Sequence, residues 1–588
     1  MDISRRDFLY LAAALGLVAS SGKRALAATE SVSEITCDTL MSGGFKPAGD
    51  VTLIHMCDWH AHLNPLFWRE PSTLLSAHGL VGLPGFLCGD AFKKYYGIRE
   101  GSIEAYFDTY FDFERLAHRF GRMGGFAYVK TVVDLIRKER GADKCLLLDS
   151  GDTWQGTAIG LKTGGEAIVK AQNMMGVDVM VGHWEFTYGR EQVLKLAGSK
   201  EQRGMLDADF VSQNISDERS NELIYRPYVV RKVGGAKIGL LGQSFPYTKA
   251  TNPRNVEGWN FGLRLDTLQK YVNELKSLCD VVVLLSHDGF SLDQEVARRV
   301  KGIDIILSGH THDPAPQPLK VGGTLIVISG SHGKYVSRLD LDIKGGQLRG
   351  HSYKLIPIAS NIIPAHAEAQ KFVREAYAPY DRELFTPIGK TESLLYKRDT
   401  FYSTFDNLIG EAVQQAMDCD IVFTPGYRWG TTLLTGDAIR ADDVYDVTAI
   451  TYPEVYTFEM KGEGFHQLLE NHADNVFNPD PIYQQGGDMA RLYGMTYDIE
   501  IGAGKGKRIR NIKVGGKPLD PLKDYLISSW GSSVHKSGKN LREGRIKPVY
   551  EVVIEYIKQQ RVVKAPPESN VTVLDFRNNT CPERGALL

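Results

Sequence analysis

Five apolar stretches in the first part of the chain each end in an Asp or a His. They begin at Val51, Cys145, Val177, Val281 and Ile305. A short apolar run with a polar residue directly after it is typical of a strand that is buried on both faces, as in a parallel sheet. We therefore predict a sheet whose strands carry polar side chains at their carboxyl ends.

Segments with helical periodicity lie between these strands. Val129, Val132, Val133 and Ile136 fall at i, i+3, i+4 and i+7, one apolar stripe of a helix that ends at Gly141. The other elements predicted here are a helix over 264–278 and strands near 177–181, 238–242, 281–285, 303–307 and 325–329. This alternation predicts a layered α/β domain.

The pattern changes after a connecting helix that is predicted over 361–386. Because 588 residues are long for one core, we expect a first domain over 50–360 and a second over 387–575. The elements predicted in the second domain are a helix that carries Leu408 to Ala416, strands over 420–424 and 525–529, turns over 425–430 and 485–488, and a helix over 550–560.

An insertion over about 64–122 follows the first strand and contains an aromatic run over 106–113. One interpretation is a surface subdomain that packs these aromatic side chains against the core. The other interpretation is a docking surface for a partner.

Composition excludes several classes of protein. The hydrophobic content of 43%, the charged content of 24% and the net charge of −2 are those of an ordinary soluble protein, and they give no sign of a nucleic-acid partner. The seven cysteines lack C-x-x-C spacing, so they imply neither a zinc ribbon nor a disulfide framework.

The amino terminus predicts export. Arg5-Arg6 precedes an apolar stretch over 10–19, and Ala25-Leu26-Ala27 offers small residues for cleavage. The stretch is too short for a spanning helix, which favours a twin-arginine signal peptide over 1–27 rather than a membrane anchor. We expect a periplasmic protein with no membrane insertion after cleavage.

The candidate metal ligands lie at the carboxyl ends of the predicted strands. Ligands at the carboxyl ends of successive strands converge at one edge of an α/β sheet, so a shared metal site is the simplest interpretation. A solvated or core histidine pair is the alternative for any one motif alone. The candidates, in chain order, are Asp58, His60, Asp152, His183, His287, His310 and His312.

These ordered motifs resemble the 5′-nucleotidase branch of the calcineurin-like metallophosphoesterases. The resemblance implies a four-layer αββα domain joined by a helix to a 5′-nucleotidase-type α+β domain. It implies that one metal is held by Asp58, His60, Asp152 and His312. It implies that a second metal is held by Asp152, His183, His287 and His310, with Asp152 bridging. Carboxylate and imidazole ligands fit manganese, iron or zinc.

The chain departs from that branch at one motif. Where the phosphoesterases have Gly-Asn-His-Glu, this chain has Gly182-His183-Trp184-Glu185, so Trp184 stands at the position of the usual catalytic histidine. The loss removes a cationic donor beside the developing charge of a phosphoryl transfer.

This motif, the twin-arginine signal and Gln-Gln-Gly-Gly-Asp-Met over 484–489 resemble the SoxB thiosulfohydrolase family. The resemblance implies two Mn²⁺ ions and hydrolysis of a cysteine-bound thiosulfonate on a SoxYZ-type carrier protein, with release of sulfate. A sulfonate carries one negative charge where a phosphate monoester carries about two, so it needs less cationic help.

The implied catalytic residues are Asp152 and His183 at the metals and Arg428 at the substrate. The other substrate-binding candidates are Tyr427, Gly487, Asp488 and Trp184. A surface ion pair is the alternative for Arg428, and core packing is the alternative for Trp184. The competing functions are a periplasmic 5′-nucleotidase or cyclic-nucleotide phosphodiesterase, and a binding protein with a degenerate site.

Overall fold

The structure, a computed structural model, describes residues 35–77, 80, 82–531, 540–565 and 569–576. The predicted signal peptide over 1–27 lies outside these residues. The chain forms two compact units. Within the described residues, the first unit comprises 35–67, 92–154 and 165–376, and the second comprises the rest. The predicted domain boundaries stay a prediction.

Two six-stranded sheets form the centre of the first unit. The first sheet has the strand order Gln347–Pro357, Tyr335–Lys344, Val51–Met56, Cys145–Asp149, Val179–Met180 and Asp209–Phe210. The second has the order Leu319–Val321, Thr324–Ile328, Ile305–Ser308, Val281–Ser286, Ala236–Gln243 and Tyr228–Val233. The strands that carry the candidate ligands are parallel within each sheet, for example Thr52 opposite Cys145 and Ile305 opposite Val283. Their carboxyl ends therefore meet at one edge of each sheet.

The alternation of side chains along the strands builds the layers. In the strand Ile305–Ser308, Ile305 and Leu307 pack in the core shared by the two sheets, whereas Ile306 packs against helices on the outer face. Those outer helices are Leu265–Leu275 and Phe290–Arg299. The helix Phe126–Arg140 covers the first sheet and buries the predicted stripe. The order helix, sheet, sheet, helix confirms the predicted four-layer domain.

The remaining helices of the first half and the connecting region are short. They are Cys37–Ser42, Gly89–Tyr96, Ile103–Asp108, Phe113–Phe120, Glu166–Met175, Arg190–Ala197, Thr248–Thr251 and Ala367–Tyr377. Three residues of the aromatic run, Tyr106, Phe107 and Phe113, are buried. Tyr106 stacks on Phe113 and Phe120, and Phe107 meets the ring of Tyr335 edge to face.

The second unit contains three small sheets and has the mixed α/β character that was predicted. Their strands are Pro387–Thr391 with Ala438–Arg440 and Val562–Val563; Tyr456–Lys461 with Asp524–Ser529, Ile421–Thr424 and Arg491–Tyr493; and Lys517–Pro518 with Ile509–Val514, Met495–Ile499 and Val571–Val573. The helices are Ala158–Lys162, Asp381–Phe385, Thr404–Met417, Ala441–Thr448, Gly462–Phe477 and Val549–Gln560. One core cluster joins the last two sheets and the helix Gly462–Phe477.

Two further findings concern membrane crossing and the cysteines. In the described part of the chain, no helix has the length and apolar character that a membrane crossing requires. Cys88 is disulfide-bonded, a bond that the cysteine spacing did not predict, whereas Cys57 and Cys145 are buried free thiols.

Candidate metal centre

The seven predicted ligands lie in five loops that directly follow strands of the two sheets. Their side chains form two groups, and within each group the potential ligand atoms all lie within 4.8 Å of one another. The first group is Asp58, His60, Asp152 and His312. The second group is His183, His287 and His310. The first group has the members of the first set that the resemblance implies, and the second group has those of the second set except Asp152. That the groups bind metals stays a prediction.

Asp152 connects the two groups. Its Oδ2 atom lies 3.4 Å from Nε2 of His60 in the first group. The same oxygen lies 3.1 Å from Nδ1 of His183 and 3.6 Å from Nε2 of His287 in the second. Asp152 is 1% exposed, so one buried carboxylate oxygen faces both sets of imidazoles.

The donor atoms fit divalent cations. Within the first group, Nε2 of His60 lies 3.1 Å from Nε2 of His312; within the second, Nδ1 of His183 lies 3.0 Å from Nε2 of His287. Two nitrogens that bind one metal at about 2.1 Å are ~3 Å apart when the angle between them is about 90°. Facing imidazole nitrogens at this distance need a proton or a cation between them. Oδ1 of Asp152 is buried and has no hydrogen-bond partner among the described residues, which leaves it available to a cation.

Five of the clustered candidate ligands have a strained backbone conformation. The candidate ligands Asp58, His60, Asp152, His310 and His312 all have positive φ angles, between 50° and 77°. Residues other than glycine rarely adopt this region, and such conformations concentrate where function requires a particular side-chain direction. The strain explains how His310 and His312, two residues apart after one strand, both reach the cluster.

Two neighbouring carboxylates orient the ligands. Glu185 is fully buried and accepts hydrogen bonds from the backbone N–H of Thr153 at 2.6 Å and of His183 at 2.7 Å. Asp149 accepts from the backbone N–H of Gly151 at 2.9 Å. These carboxylates hold the loop that carries Asp152.

The main-chain carbonyl of Ser150 lies 2.5 Å from Nδ1 of His287. A carbonyl can only accept, so Nδ1 of His287 donates, and Nε2, which faces Asp152, is the atom that can bind a metal. Ser150 therefore fixes the tautomer that a metal ligand needs. Ser150 and Glu185 were not predicted as site residues, because their roles depend on loops that meet only in the fold.

Burial and neighbouring charges shift the pKa values of the cluster in opposite directions. Burial acts to lower the pKa of His287, but Asp152 and Asp58 raise it to about 9. Burial lowers the pKa of His183 to about 4, which keeps its imidazole neutral at neutral pH, the form that binds metals. Burial and the neighbouring Asp152 raise the pKa of Glu185 to about 7.

Aromatic rings line the second group. The ring of Phe245 lies 4.1 Å from that of His183 and 4.5 Å from that of His310, measured between centroids, and Phe245 is 1% exposed. The ring of Trp184 lies 5.6 Å from that of His183 and is partly exposed, so it borders the cluster and is not fully buried in the core. Phe245 was missed because the strand before it, Ala236–Gln243, does not end in a ligand motif.

The substrate candidates of the second unit also lie together. Nη2 of Arg428 donates to the carbonyl of Gly487 at 2.8 Å, and its Nε lies 3.3 Å from Oδ1 of Asp488. The ring of Tyr427 stacks on Trp429 with centroids 4.1 Å apart. Arg428 therefore does form an ion pair, as the alternative interpretation held, but with a buried carboxylate of the same predicted set. Contact of these residues with a substrate stays a prediction.

Comparisons with known proteins agree with the fold. Residues 387–536 match the family described as 5′-nucleotidase, C-terminal domain. Protein UshA from Yersinia enterocolitica is 25% identical to the chain over 461 residues, which cover 69% of this chain and 80% of UshA.

Two solved structures are similar over most of the chain. The sulfate thiohydrolase SoxB from Thermus thermophilus, solved in complex with glycerol, is 40% identical with a TM-score of 0.88, and the match covers 92% of this chain and 99% of that one. A 5′-nucleotidase precursor from the same species is 22% identical with a TM-score of 0.71, and the match covers 90% of this chain and 99% of that one. This second likeness shows the shared fold.

Proposed function

The chain belongs to the SoxB family, and on that premise we propose that it hydrolyses the terminal sulfonate of a thiosulfonate carried on a cysteine of a SoxYZ-type protein, releasing sulfate during thiosulfate oxidation. The observation that carries this proposal is the pairing of His183 with Trp184. All seven candidate metal ligands are brought together, yet a tryptophan borders the cluster where the phosphoesterases have a catalytic histidine.

The seven ligand residues would hold two divalent metal ions, in our proposal Mn²⁺. When bound, the metals would supply a water of lowered pKa as the nucleophile and positive charge beside the reacting oxygens. Glu185 and Asp149 keep the Asp152 loop in place, and the buried ring of Phe245 packs against His183 and His310.

The reaction needs no oxidant. A water oxygen forms a bond to the terminal sulfur, the bond between that sulfur and the carrier's sulfur breaks, and its electron pair leaves on the carrier as a persulfide anion. Both protons of the water pass to solvent, and sulfate is released. A persulfide is a stable anion that leaves without a general acid, so the site can function without the histidine that Trp184 replaces.

Arg428 would bind the sulfonate oxygens. A planar guanidinium can donate two parallel hydrogen bonds to an oxyanion. The side chain of Arg428 is 15% exposed, so it remains accessible while Asp488 and Gly487 hold it. Tyr427, Gly487, Asp488 and Trp184 are the other residues proposed to bind the substrate.

Export by the twin-arginine route to the periplasm belongs to the same proposal. It rests on the sequence over 1–27 and on the resemblance to the family. We propose no nucleic-acid partner, in agreement with the net charge of −2.

Hydrolysis of nucleotides is the second candidate, because residues 387–536 match the 5′-nucleotidase C-terminal domain. One assay separates the two functions. Purified protein loaded with Mn²⁺ is given either AMP or persulfonated carrier, that is, the SoxYZ-type protein with the thiosulfonate on its cysteine. Sulfate and phosphate are measured. We expect sulfate from the carrier and little phosphate from AMP. Phosphate release at a comparable rate, or no sulfate, would reject the proposal.

A further inference from the structure

Asp488 is the more deeply buried partner of Arg428. Nε of Arg428 is 3.3 Å from Oδ1 of Asp488, and the two side chains are 15% and 4% exposed, respectively. An anion that binds the guanidinium of Arg428 therefore has a carboxylate close by.

A chain of buried charges keeps this carboxylate in place. Nη2 of Arg491 lies 3.2 Å from the other oxygen of Asp488, and Nε of Arg491 lies 3.4 Å from Oδ2 of Asp406. Asp406 in turn pairs with Lys397, which is fully buried. The backbone N–H of Asp488 donates to the carbonyl of Gly426 at 3.1 Å. Arg491 restrains the side chain of Asp488 and Gly426 restrains its backbone, so the carboxylate stays beside Arg428 when an anion binds.

We propose that Asp488 determines specificity by making the Arg428 site prefer a singly charged sulfonate over a doubly charged phosphate. This inference rests on the proposed function, since it assigns Arg428 to substrate binding. The carboxylate repels any arriving anion in proportion to the anion's charge, so a dianion is repelled twice as strongly as a monoanion. The hydrogen bonds that orient the guanidinium benefit both anions equally.

Two ligands of nearly the same shape test the charge preference. Methanesulfonate carries one negative charge, and methylphosphonate carries two at a sufficiently alkaline pH. Calorimetry measures both dissociation constants on the manganese-loaded full chain, for the native protein and for Asp488→Asn. Asparagine removes the charge and keeps one oxygen that can accept from Arg428, while its NH₂ group replaces the oxygen that accepts from Arg491. The ratio of the methanesulfonate dissociation constant to the methylphosphonate dissociation constant should be about tenfold higher in the variant than in the native protein. This is the effect expected of one unit charge ~6 Å from the anion in a partly screened site.

Asp406→Asn is the matched control. It removes a carboxylate charge from the same network, but Asp406 contacts Arg491 and is separated from Arg428 by Arg491 and Asp488. Its ratio of dissociation constants should stay close to that of the native protein. Asp488→Ser, which also removes the charge, replaces the asparagine variant if that variant does not fold.

An unchanged ratio in the Asp488 variant, or an equal change in Asp406→Asn, would overturn the inference. Calorimetry requires no turnover, so this outcome is separate from the proposed function. A native protein that releases no sulfate from carrier would refute the function, whatever the binding ratios are.

Discussion

The carboxylate of Glu185 accepts a 2.6 Å hydrogen bond from the backbone N–H of Thr153. Its other oxygen accepts one of 2.7 Å from the backbone N–H of His183. One buried side chain thus joins the loop that carries the bridging Asp152 to the loop that carries a ligand of the second group. The spacing between the two groups therefore depends on a residue that is in neither of them.

Replacement of this residue should weaken metal binding. Glu185→Gln keeps the size of the side chain but exchanges one accepting oxygen for an NH₂ group, which cannot accept from a backbone N–H. We expect metal affinity to fall about 10- to 100-fold, as is usual when a partner that orients ligands is lost. Metal titration of the purified protein measures this. Glu191→Gln, at an exposed position of the helix Arg190–Ala197, is the control, and equal affinities in both variants would contradict the assignment.

Asp152→Ala should remove both metals. Oδ2 of Asp152 faces imidazoles of both groups, so each metal would lose a ligand and the repulsion between the two ions would lose its compensating charge. Elemental analysis should find two metals per chain in the native protein and close to none in the variant. Asp143→Ala, at an exposed position, should retain both. One tightly bound metal in the native protein would reject the binuclear centre.

The clustering of the candidate ligands could be predicted from the sequence, whereas the residues that orient them could not. The strand Ile305–Ser308 and the histidines after it could be predicted, because an apolar run fixes the strand and the next residues must emerge at its end. Phe245 could not be predicted, because its contact with His183 joins loops of different sheets. The positive φ of Asp58 has only a weak sequence signal, since glycine adopts that conformation readily and Asp does so far less often.

Restoring the phosphoesterase pair should change specificity. His183→Asn together with Trp184→His returns the amide ligand and the cationic donor, so phosphatase activity should rise relative to sulfonate hydrolysis. Parallel assays with AMP and with persulfonated carrier measure the ratio of kcat/KM values. Metal content is measured in the same preparation. If the metals are retained and the ratio does not move, Trp184 is not what separates the two activities.

His55 should make stability depend on pH. It is 1% exposed, and burial lowers its pKa to about 3, against about 6.5 when unfolded. Between these values the unfolded chain binds the proton and the folded chain does not, so stability falls as the pH falls below about 6.5. From pH 7 to pH 5 this one group should cost about 2 kcal/mol. Denaturant unfolding of the native protein and of His55→Gln should therefore differ in pH dependence by that amount; parallel curves would contradict it.

Arg428→Ala should separate substrate binding from metal binding. Arg428 belongs to the second unit, whereas all seven candidate ligands belong to the first, so its loss should leave the metals in place. The variant removes charge-assisted hydrogen bonds worth about 1.5–3 kcal/mol, which corresponds to a 10- to 100-fold lower kcat/KM for sulfate release. Arg428→Lys keeps the charge but loses the planar pair of donors, so it should recover only part of the activity.

The metals are measured by elemental analysis, and turnover is measured with persulfonated carrier on the same samples. Normal turnover in the alanine variant would remove Arg428 from the site, and loss of metals would show that its role is structural.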